Sequence, residues 1–291
     1  MKPAPFAYLL PSTVDEAAEM LAATGGKVLA GGQSLIPLMS MRLAAPPALV
    51  DINRVGGITD IEVGDDAVRV GALVRHAALE AHAPAYDANP LLRRALRHVA
   101  HATIRNRGTT VGSIVHADPA GEMPAVLRLL GGSVEAVSQA RGRRSIDAAD
   151  FFVGPLESAL GEDEIAVGVV FPRPPAGSGS SWLEISRRRG DYALVGVGAV
   201  VTLDSDRNVI GAAVSLISVG ATPVHVDVGH VGADSAYDDV DWSGATELVD
   251  AAISPEADIH ATADYRRHLA QVLTRRALAE ATADAAPRVA A

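Results

Sequence analysis

The sequence has no cysteine among its 291 residues. Without cysteine the chain can form no disulfide bond, thiolate nucleophile, cysteine-ligated iron–sulfur cluster or cysteinyl link to a flavin. Any iron–sulfur chemistry in which this protein takes part must therefore be carried by another polypeptide.

Aromatic residues and basic charge are also scarce. Four Phe, two Trp and five Tyr leave the core to Ala, Val, Leu and Ile, and the net charge is −10. Nucleic acids and anionic membranes select basic surfaces, so neither is an expected partner. No apolar stretch approaches the roughly 18 residues of a membrane span, and the N-terminus lacks the apolar core of a signal peptide. We expect a cytoplasmic globular protein whose partners are small molecules or proteins.

Hydrophobic periodicity and turn residues divide the chain into successive units. Residues 1–55 and 56–171 are predicted to form two subdomains that mix helices and strands. The Pro- and Gly-rich run 172–180 is predicted to be a linker, because it disfavours both helices and strand ladders. Strand patterns followed by helical patterns then indicate a C-terminal domain at 181–285 and a frayed tail at 286–291.

The first candidate site is a Gly-Gly turn between a predicted strand and a predicted helix. Glycine permits positive φ and removes side chains, so consecutive N–H groups can face a diphosphate near a positive helix end. The alternative is an ordinary tight turn in which a serine caps the helix. The residues concerned are Ala30, Gly31, Gly32, Gln33, Ser34 and Leu35.

The second candidate site is a predicted loop, TIRNRGTTVGS, that leads into HADP. Thr109, Gly112 and Ser113 offer donors to phosphate or ribose, and Asp118 can accept hydrogen bonds from sugar hydroxyls. The alternative is that Asp118 only caps a helix beginning at Pro119, a common helix entry.

Four stretches in order along the chain resemble one known family. They are AGGQSLIPLMSMRLAAPPALVDI, IRNRGTTVGSIVHADPAGEMPAVL, DFFVG...LGEDEI and SRRRGDYALVGVGAV. Together they are similar to the FAD-binding medium subunit of the xanthine dehydrogenase and carbon monoxide dehydrogenase family of molybdenum hydroxylases. The general pattern extends from Leu9 to about Glu280. The resemblance implies an α+β, two-subdomain FAD-binding fold followed by a C-terminal domain with an antiparallel sheet and helices.

The resemblance also implies a set of cofactor contacts. FAD, held noncovalently because cysteine is absent, is expected to contact both candidate sites, and Tyr192 is expected near the isoalloxazine ring. The alternative for Tyr192 is packing within its own sheet. The implied contacts are Ala30, Gly31, Gly32, Gln33, Ser34, Leu35, Thr109, Gly112, Ser113, Asp118 and Tyr192.

The function implied by the family is electron transfer within a hetero-oligomer, with a dimer of heterotrimers as one arrangement. A large subunit would hold the molybdenum cofactor, a small subunit would hold [2Fe–2S] clusters, and FAD on this chain would pass electrons to an external acceptor. No residue of this chain is then expected to be catalytic in the hydroxylation. Two alternatives stay open: a self-sufficient FAD-dependent oxidase, and a scaffold subunit that has lost FAD.

Two positions depart from the family pattern. Val111 precedes Gly112 where the family commonly has two glycines, which predicts a second loop farther from FAD or compensation elsewhere. Glu184 stands where many members have Lys. Two other features are interpreted as structural: the metal-like spacing His225-x-Asp227-x-x-His230 and the acidic pair at 163–164 are expected to lie on the surface.

Overall fold

The computed structural model describes residues 1–289. Its N-terminal subdomain is a three-stranded parallel sheet with two helices. The central strand, Ala48–Asp51, is wholly buried. Because both of its neighbours run parallel to it, the connection from the second strand to the second helix leaves the carboxyl edge of the sheet, where ligands commonly bind. The elements are β1 (Ala7–Leu9), α1 (Val14–Thr24), β2 (Lys27–Leu29), α2 (Leu35–Ser40) and β3 (Ala48–Asp51).

The second subdomain is a five-stranded antiparallel sheet of order β4-β5-β10-β6-β7, covered by short helices. A two-stranded ribbon, β8 and β9, lies beside it. The elements are β4 (Ile61–Val63), β5 (Ala67–Gly71), α3 (His76–Ala81), α4 (Ala83–Ala88), α5 (Pro90–Leu96), α6 (Ala102–Arg105), α7 (Thr110–His116), α8 (Glu122–Leu129), β6 (Ser133–Ser138), β7 (Gly142–Asp147), α9 (Ala148–Phe151), β8 (Phe152–Gly154), β9 (Glu157–Ser158) and β10 (Glu164–Pro172).

The segment predicted as a glycine-rich loop is largely helical, because α6 and α7 lie within it. Helix α7 begins where the Thr109 hydroxyl accepts a hydrogen bond from the Gly112 N–H at 3.1 Å, a side-chain cap that the pattern did not reveal. The helix expected to begin at Pro119 begins instead at Glu122. Asp118 does not cap it, since its carboxylate accepts the Ala120 N–H at 2.9 Å in the preceding turn.

The C-terminal domain is a four-stranded antiparallel sheet covered by helices. The connection before it is shorter than the predicted linker 172–180, because only residues 173–177 lie between strands. The prediction of a frayed tail at 286–291 is wrong for residues 286–289, because the last helix continues through Pro287 to Val289. Ala290 and Ala291 lie outside the described residues. The elements are β11 (Ser178–Ser186), β12 (Ala193–Leu203), β13 (Val209–Ile217), β14 (Val224–Asp227), α10 (Gly229–Gly232), α11 (Ser243–Ala252) and α12 (Ala263–Val289).

One apolar core runs through both N-terminal subdomains and includes Trp182 of the C-terminal domain, whereas a second core fills the space between the last sheet and its helices. Polar contacts also join the domains: among them, Arg94 pairs with Asp284 at 2.7 Å, and the Ser218 N–H donates to the Pro119 carbonyl at 2.9 Å. Within residues 1–289, no helix is long and apolar enough to cross a membrane.

Candidate functional site

A cleft of about 920 Å³ opens between the carboxyl edge of the first sheet, helix α7 and the turn that precedes β12. The volume lies within the range of small-molecule and cofactor sites. The fold thus brings to one place residues that are far apart in sequence. Every site residue predicted from the sequence lines this cleft: Ala30, Gly31, Gly32, Gln33, Ser34, Leu35, Thr109, Gly112, Ser113, Asp118 and Tyr192.

The loop between β2 and α2, residues 30–34, carries a row of open backbone donors. Within the described chain, the N–H groups from Gly31 to Ser34 donate to no protein acceptor. Gly32 has φ of 73°, which reverses the chain direction and suits glycine. Ser34 stands at the N-cap position of α2, as the ordinary-turn alternative expects, but its side chain makes no capping hydrogen bond. Successive open N–H groups of this kind form a concave site for an anion.

The 30–34 loop rests directly on the loop before α7. A Cβ atom added at Gly31 would collide with the Arg107 carbonyl oxygen and would lie 2.8 Å from the Gly108 Cα. The absence of a side chain at Gly31 therefore allows the two loops to pack against each other.

Arg75, which the sequence did not single out, holds both loops. Its Nη1 donates to the Arg107 carbonyl at 2.6 Å, and its Nη2 donates to the Asn53 Oδ1 at 2.6 Å. The Asn53 Nδ2 in turn donates to the Ala30 carbonyl at 2.9 Å. These contacts fix the separation of the loops. No motif marks Arg75 in the sequence, because its partners are carbonyls and an amide brought near by folding.

Replacing Arg75 by alanine should weaken FAD binding about tenfold, because charge-assisted hydrogen bonds contribute roughly 1.5–3 kcal/mol and each 1.4 kcal/mol is tenfold in affinity. Titration of the flavin-free chain with FAD, followed by the change in flavin fluorescence, measures the effect. Arg97→Ala is the matched control, because Arg97 is exposed and its replacement removes the same charge. Equal affinities for the two variants would show that the Arg75 contacts do not shape the site.

The second loop supplies hydroxyls and one carboxylate. Thr109 is 3% exposed and is engaged as the cap of α7, whereas the Ser113 hydroxyl makes no side-chain hydrogen bond in residues 1–289. One oxygen of Asp118 is held by the Ala120 N–H, which leaves the other for a ligand. Val111, which stands where the family commonly has a glycine, is only 2% exposed and packs in the core.

Tyr192 lies in the turn before β12 and its side chain is 69% exposed, so the alternative that it packs within its own sheet is wrong. The turn is seated by Gly190, at φ of 80°, where an added Cβ would lie 2.5 Å from the His101 ring. Partial desolvation, followed by the charges of Asp118, Glu122 and Asp191, raises the pKa of Tyr192. A neutral aromatic ring thus stands at the cleft, available to stack on a ligand.

Three titratable groups at or near the cleft have shifted pKa values that the sequence analysis did not predict. Burial, aided by Arg105, lowers the pKa of His76 to about 4, so its ring is neutral. Burial raises the pKa of Glu122, with Glu184 the next cause, and burial raises the pKa of Glu184 as well. Glu122 lies in a stretch that carried the family resemblance, but burial is a property that only the fold supplies.

The charged features interpreted as surface groups are partly internal. The Glu164 side chain is fully buried and receives two hydrogen bonds from Arg144, at 2.7 and 2.5 Å, so its interpretation as surface charge is wrong. His225 lies on β14 in a half-buried position. Residues 1–289 contain no group of three His, Asp or Glu side chains that could hold a metal ion.

The cleft fits a dinucleotide flavin. The open N–H groups of the 30–34 loop suit a diphosphate, the Ser113 hydroxyl and the free oxygen of Asp118 suit sugar hydroxyls, and Tyr192 suits an aromatic ring. The fit to FAD rests on these groups taken together and on no single one of them.

Comparison with known proteins agrees with this geometry. Residues 4–174 match the family model for the FAD binding domain in molybdopterin dehydrogenase, and residues 180–281 match that for the CO dehydrogenase flavoprotein C-terminal domain. The nicotine 6-hydroxylase medium subunit of Paenarthrobacter nicotinovorans is 41% identical, over 95% of this chain and 97% of that protein. Two solved structures have TM-scores of 0.92 and cover 98% of this chain. CO dehydrogenase from Oligotropha carboxidovorans is 31% identical with 100% of its chain covered, and quinoline 2-oxidoreductase from Pseudomonas putida 86 is 33% identical with 99% covered. The chain therefore belongs to the family of FAD-binding medium subunits of the molybdenum hydroxylases, which are oxidoreductase complexes.

Proposed function

We propose that this chain binds FAD noncovalently and is the electron-transfer subunit of a multi-subunit molybdenum hydroxylase. A large subunit holds the molybdenum cofactor, a small subunit holds [2Fe–2S] clusters, and electrons pass from the clusters through this chain to an external acceptor. The observation that carries the proposal is the cleft in which two glycine loops meet, with consecutive open N–H groups on one of them. Relatives named as medium subunits support the assembly.

The residues of the cleft divide the work of binding. The N–H groups from Gly31 to Ser34 hold the diphosphate, Ser113 and Asp118 bind sugar hydroxyls, and Tyr192 covers the ring system. When bound, FAD supplies the isoalloxazine ring that exchanges electrons with the partner clusters and the acceptor. Because the chain has no cysteine, the clusters belong to another polypeptide and the flavin has no cysteinyl link.

The state of the flavin can be checked on the purified full-length chain. Acid precipitation should release the yellow chromophore into the supernatant as FAD, because no covalent link is expected. Colour that stays in the pellet, or FMN in the supernatant, would contradict noncovalent FAD. A chain that is purified without flavin and takes up none when FAD is added would support the scaffold alternative.

Electron transfer can be checked by mixing the FAD-loaded chain with the chemically reduced iron–sulfur subunit in the absence of oxygen. The flavin absorbance should bleach on mixing, and the oxidised iron–sulfur subunit should cause no bleaching. No bleaching by the reduced partner, under conditions in which dithionite bleaches the flavin, would overturn the proposed route. Bleaching of the isolated chain by an organic substrate such as nicotine or quinoline, the compounds named in two relatives, would favour the self-sufficient oxidase.

A further inference from the structure

One residue of the C-terminal domain, Ser218, is hydrogen-bonded to backbone on both sides of the cleft. Its N–H donates to the Pro119 carbonyl at 2.9 Å, and its hydroxyl donates to the Ala193 carbonyl at 2.8 Å. Pro119 directly follows the cleft residue Asp118 in the second loop. Ala193 directly follows the cleft residue Tyr192 in the turn before β12. Ser218 therefore joins the second loop to the turn that carries Tyr192.

The backbone of Ser218 has a conformation that few residues other than glycine adopt. Its φ is 63°, in the left-handed region. The residue comes directly after β13, whose ladder with β12 ends at the pair of Gly196 and Ile217. A left-handed serine persists only where its surroundings hold it, and residues of this kind cluster at functional sites. The hydrogen bonds to Pro119 and Ala193 are contacts that hold Ser218 in this conformation.

The position of the Tyr192 ring depends on the backbone of its turn, because a side chain that is 69% exposed is little confined by packing. Before the ring, the turn is seated by Gly190 against the His101 side chain. After the ring, the Ser218 hydroxyl holds the Ala193 carbonyl. The two flanks of the turn are thus fixed by different parts of the molecule.

Arg266 fixes the same flank one residue further on. It is 6% exposed, and its Nη1 donates to the Leu194 carbonyl at 2.6 Å and to the Ser218 carbonyl at 3.5 Å. Its Nη2 pairs with Asp258 at 2.7 Å. All of these partners belong to the C-terminal domain, so Arg266 fixes the flank relative to that domain. Ser218 connects this flank to the second loop through the Pro119 carbonyl.

We propose that Ser218 is a positioning residue for FAD, which sets the Tyr192 ring at a fixed distance from the Asp118 carboxylate. The inference rests on the proposed function, because it requires FAD in the cleft with its ring system at Tyr192. A dinucleotide that contacts both groups requires one spacing between them, and hydrogen bonds weaken steeply with distance and angle. Ser218 does not line the cleft, so its hydroxyl acts through the Ala193 carbonyl.

The test is a double-mutant cycle of Ser218→Ala and Tyr192→Leu in the full-length chain loaded with FAD. A tyrosine stacked on the isoalloxazine ring quenches flavin fluorescence, so Tyr192→Leu should brighten the bound flavin. Ser218→Ala should also brighten it, and should weaken FAD binding by about fivefold, the equivalent of one ordinary hydrogen bond. In a chain that already carries Tyr192→Leu, Ser218→Ala should change neither quantity, because no ring is left to position.

Ser181→Ala is the matched control for Ser218→Ala. The Ser181 hydroxyl also donates to a carbonyl of the C-terminal domain, that of Ala277 at 2.7 Å, and Ser181 does not line the cleft. Its replacement should leave the fluorescence and the affinity of bound FAD unchanged. If Ser218→Ala does not fold, Ser218→Gly gives the same comparison, since glycine adopts positive φ without strain.

Three outcomes would overturn the inference and leave the proposed function intact. The first is bound FAD with wild-type fluorescence and affinity in the Ser218 variants. The second is an equal loss of affinity with and without the Tyr192 side chain, which would show that the hydroxyl acts on the fold as a whole. The third is a Tyr192→Leu variant whose bound flavin is no brighter. Failure of wild type to bind FAD would instead count against the proposed function.

Discussion

Replacement of Gly31 by alanine is expected to weaken FAD binding by about a hundredfold, which corresponds to roughly 2.7 kcal/mol. The added methyl group would collide with the Arg107 carbonyl and would lie 2.8 Å from the Gly108 Cα, so the two loops must separate. Separation misplaces the open N–H groups that face the diphosphate, because hydrogen bonds weaken steeply with distance and angle. The dissociation constant from FAD titration of the flavin-free variant measures the loss.

Gly56→Ala is the matched control for Gly31→Ala, because an added Cβ at Gly56 meets nothing within 4 Å and its φ is not positive. Gly32→Val gives a second comparison with a different cause. An added Cβ there would lie 3.2 Å from the Ile36 side chain, and a β-branched residue at φ of 73° is strained by roughly 1–3 kcal/mol. Gly31→Ala with wild-type affinity, in a chain whose circular dichroism is unchanged, would move the diphosphate site elsewhere.

Removal of the Asp284 carboxylate is expected to lower the free energy of unfolding by about 2–4 kcal/mol, the cost of leaving partners of a partly buried ion pair unsatisfied. Asp284 on α12 accepts two hydrogen bonds from Arg94 on α5, at 2.7 and 3.0 Å, and one from the Ser180 N–H at 3.0 Å. Both side chains are less than a third exposed, so solvent screens the pair only in part. The contact joins the FAD-binding part of the chain to the C-terminal domain.

Urea unfolding of Asp284→Ala, Arg94→Ala and the double variant measures the coupling between the two side chains. Burial opposes ionisation of Asp284, but the Arg94 and Ser180 hydrogen bonds outweigh it and lower its pKa. The stabilisation should therefore be present above the ordinary carboxyl pKa of about 3.9 and be lost as the pH falls through the lower folded value. Additive effects of the single variants at neutral pH would show that the pair does not couple the domains.

The order of helices and strands was largely predictable because it depends on local periodicity. Helix α1 was predicted from its capping residues and terminal glycine, and the Thr13 hydroxyl does accept the Glu16 N–H. The errors fell where tertiary contacts decide the outcome. α7 lies inside a glycine-rich run but buries Thr110, Val111 and Ile114, and α12 continues through Pro287 while Asp284 near its end pairs with Arg94 of α5.

Both glycine loops were predicted as candidate sites, since glycine, hydroxyl and carboxylate residues at a strand or helix end favour phosphate and sugar ligands. Their contact with each other could not be predicted, because no sequence pattern states that Gly31 packs on Arg107. Arg75 was missed for the same reason, since an arginine that donates to carbonyl groups has no signature of its own.

By itself the sequence determined what this chain does not carry and which family it resembles. The absence of cysteine excludes clusters from the chain, and four collinear motifs identify an FAD-binding medium subunit. Only the tertiary structure decided how the residues act together. It placed Glu122 of α8 in the lining of the cleft, buried Glu164, and left Tyr192 exposed at the cleft. The physical reason is that hydrogen-bonding capacity and local periodicity belong to residues and short segments, whereas burial and the proximity of charges arise when distant segments pack together.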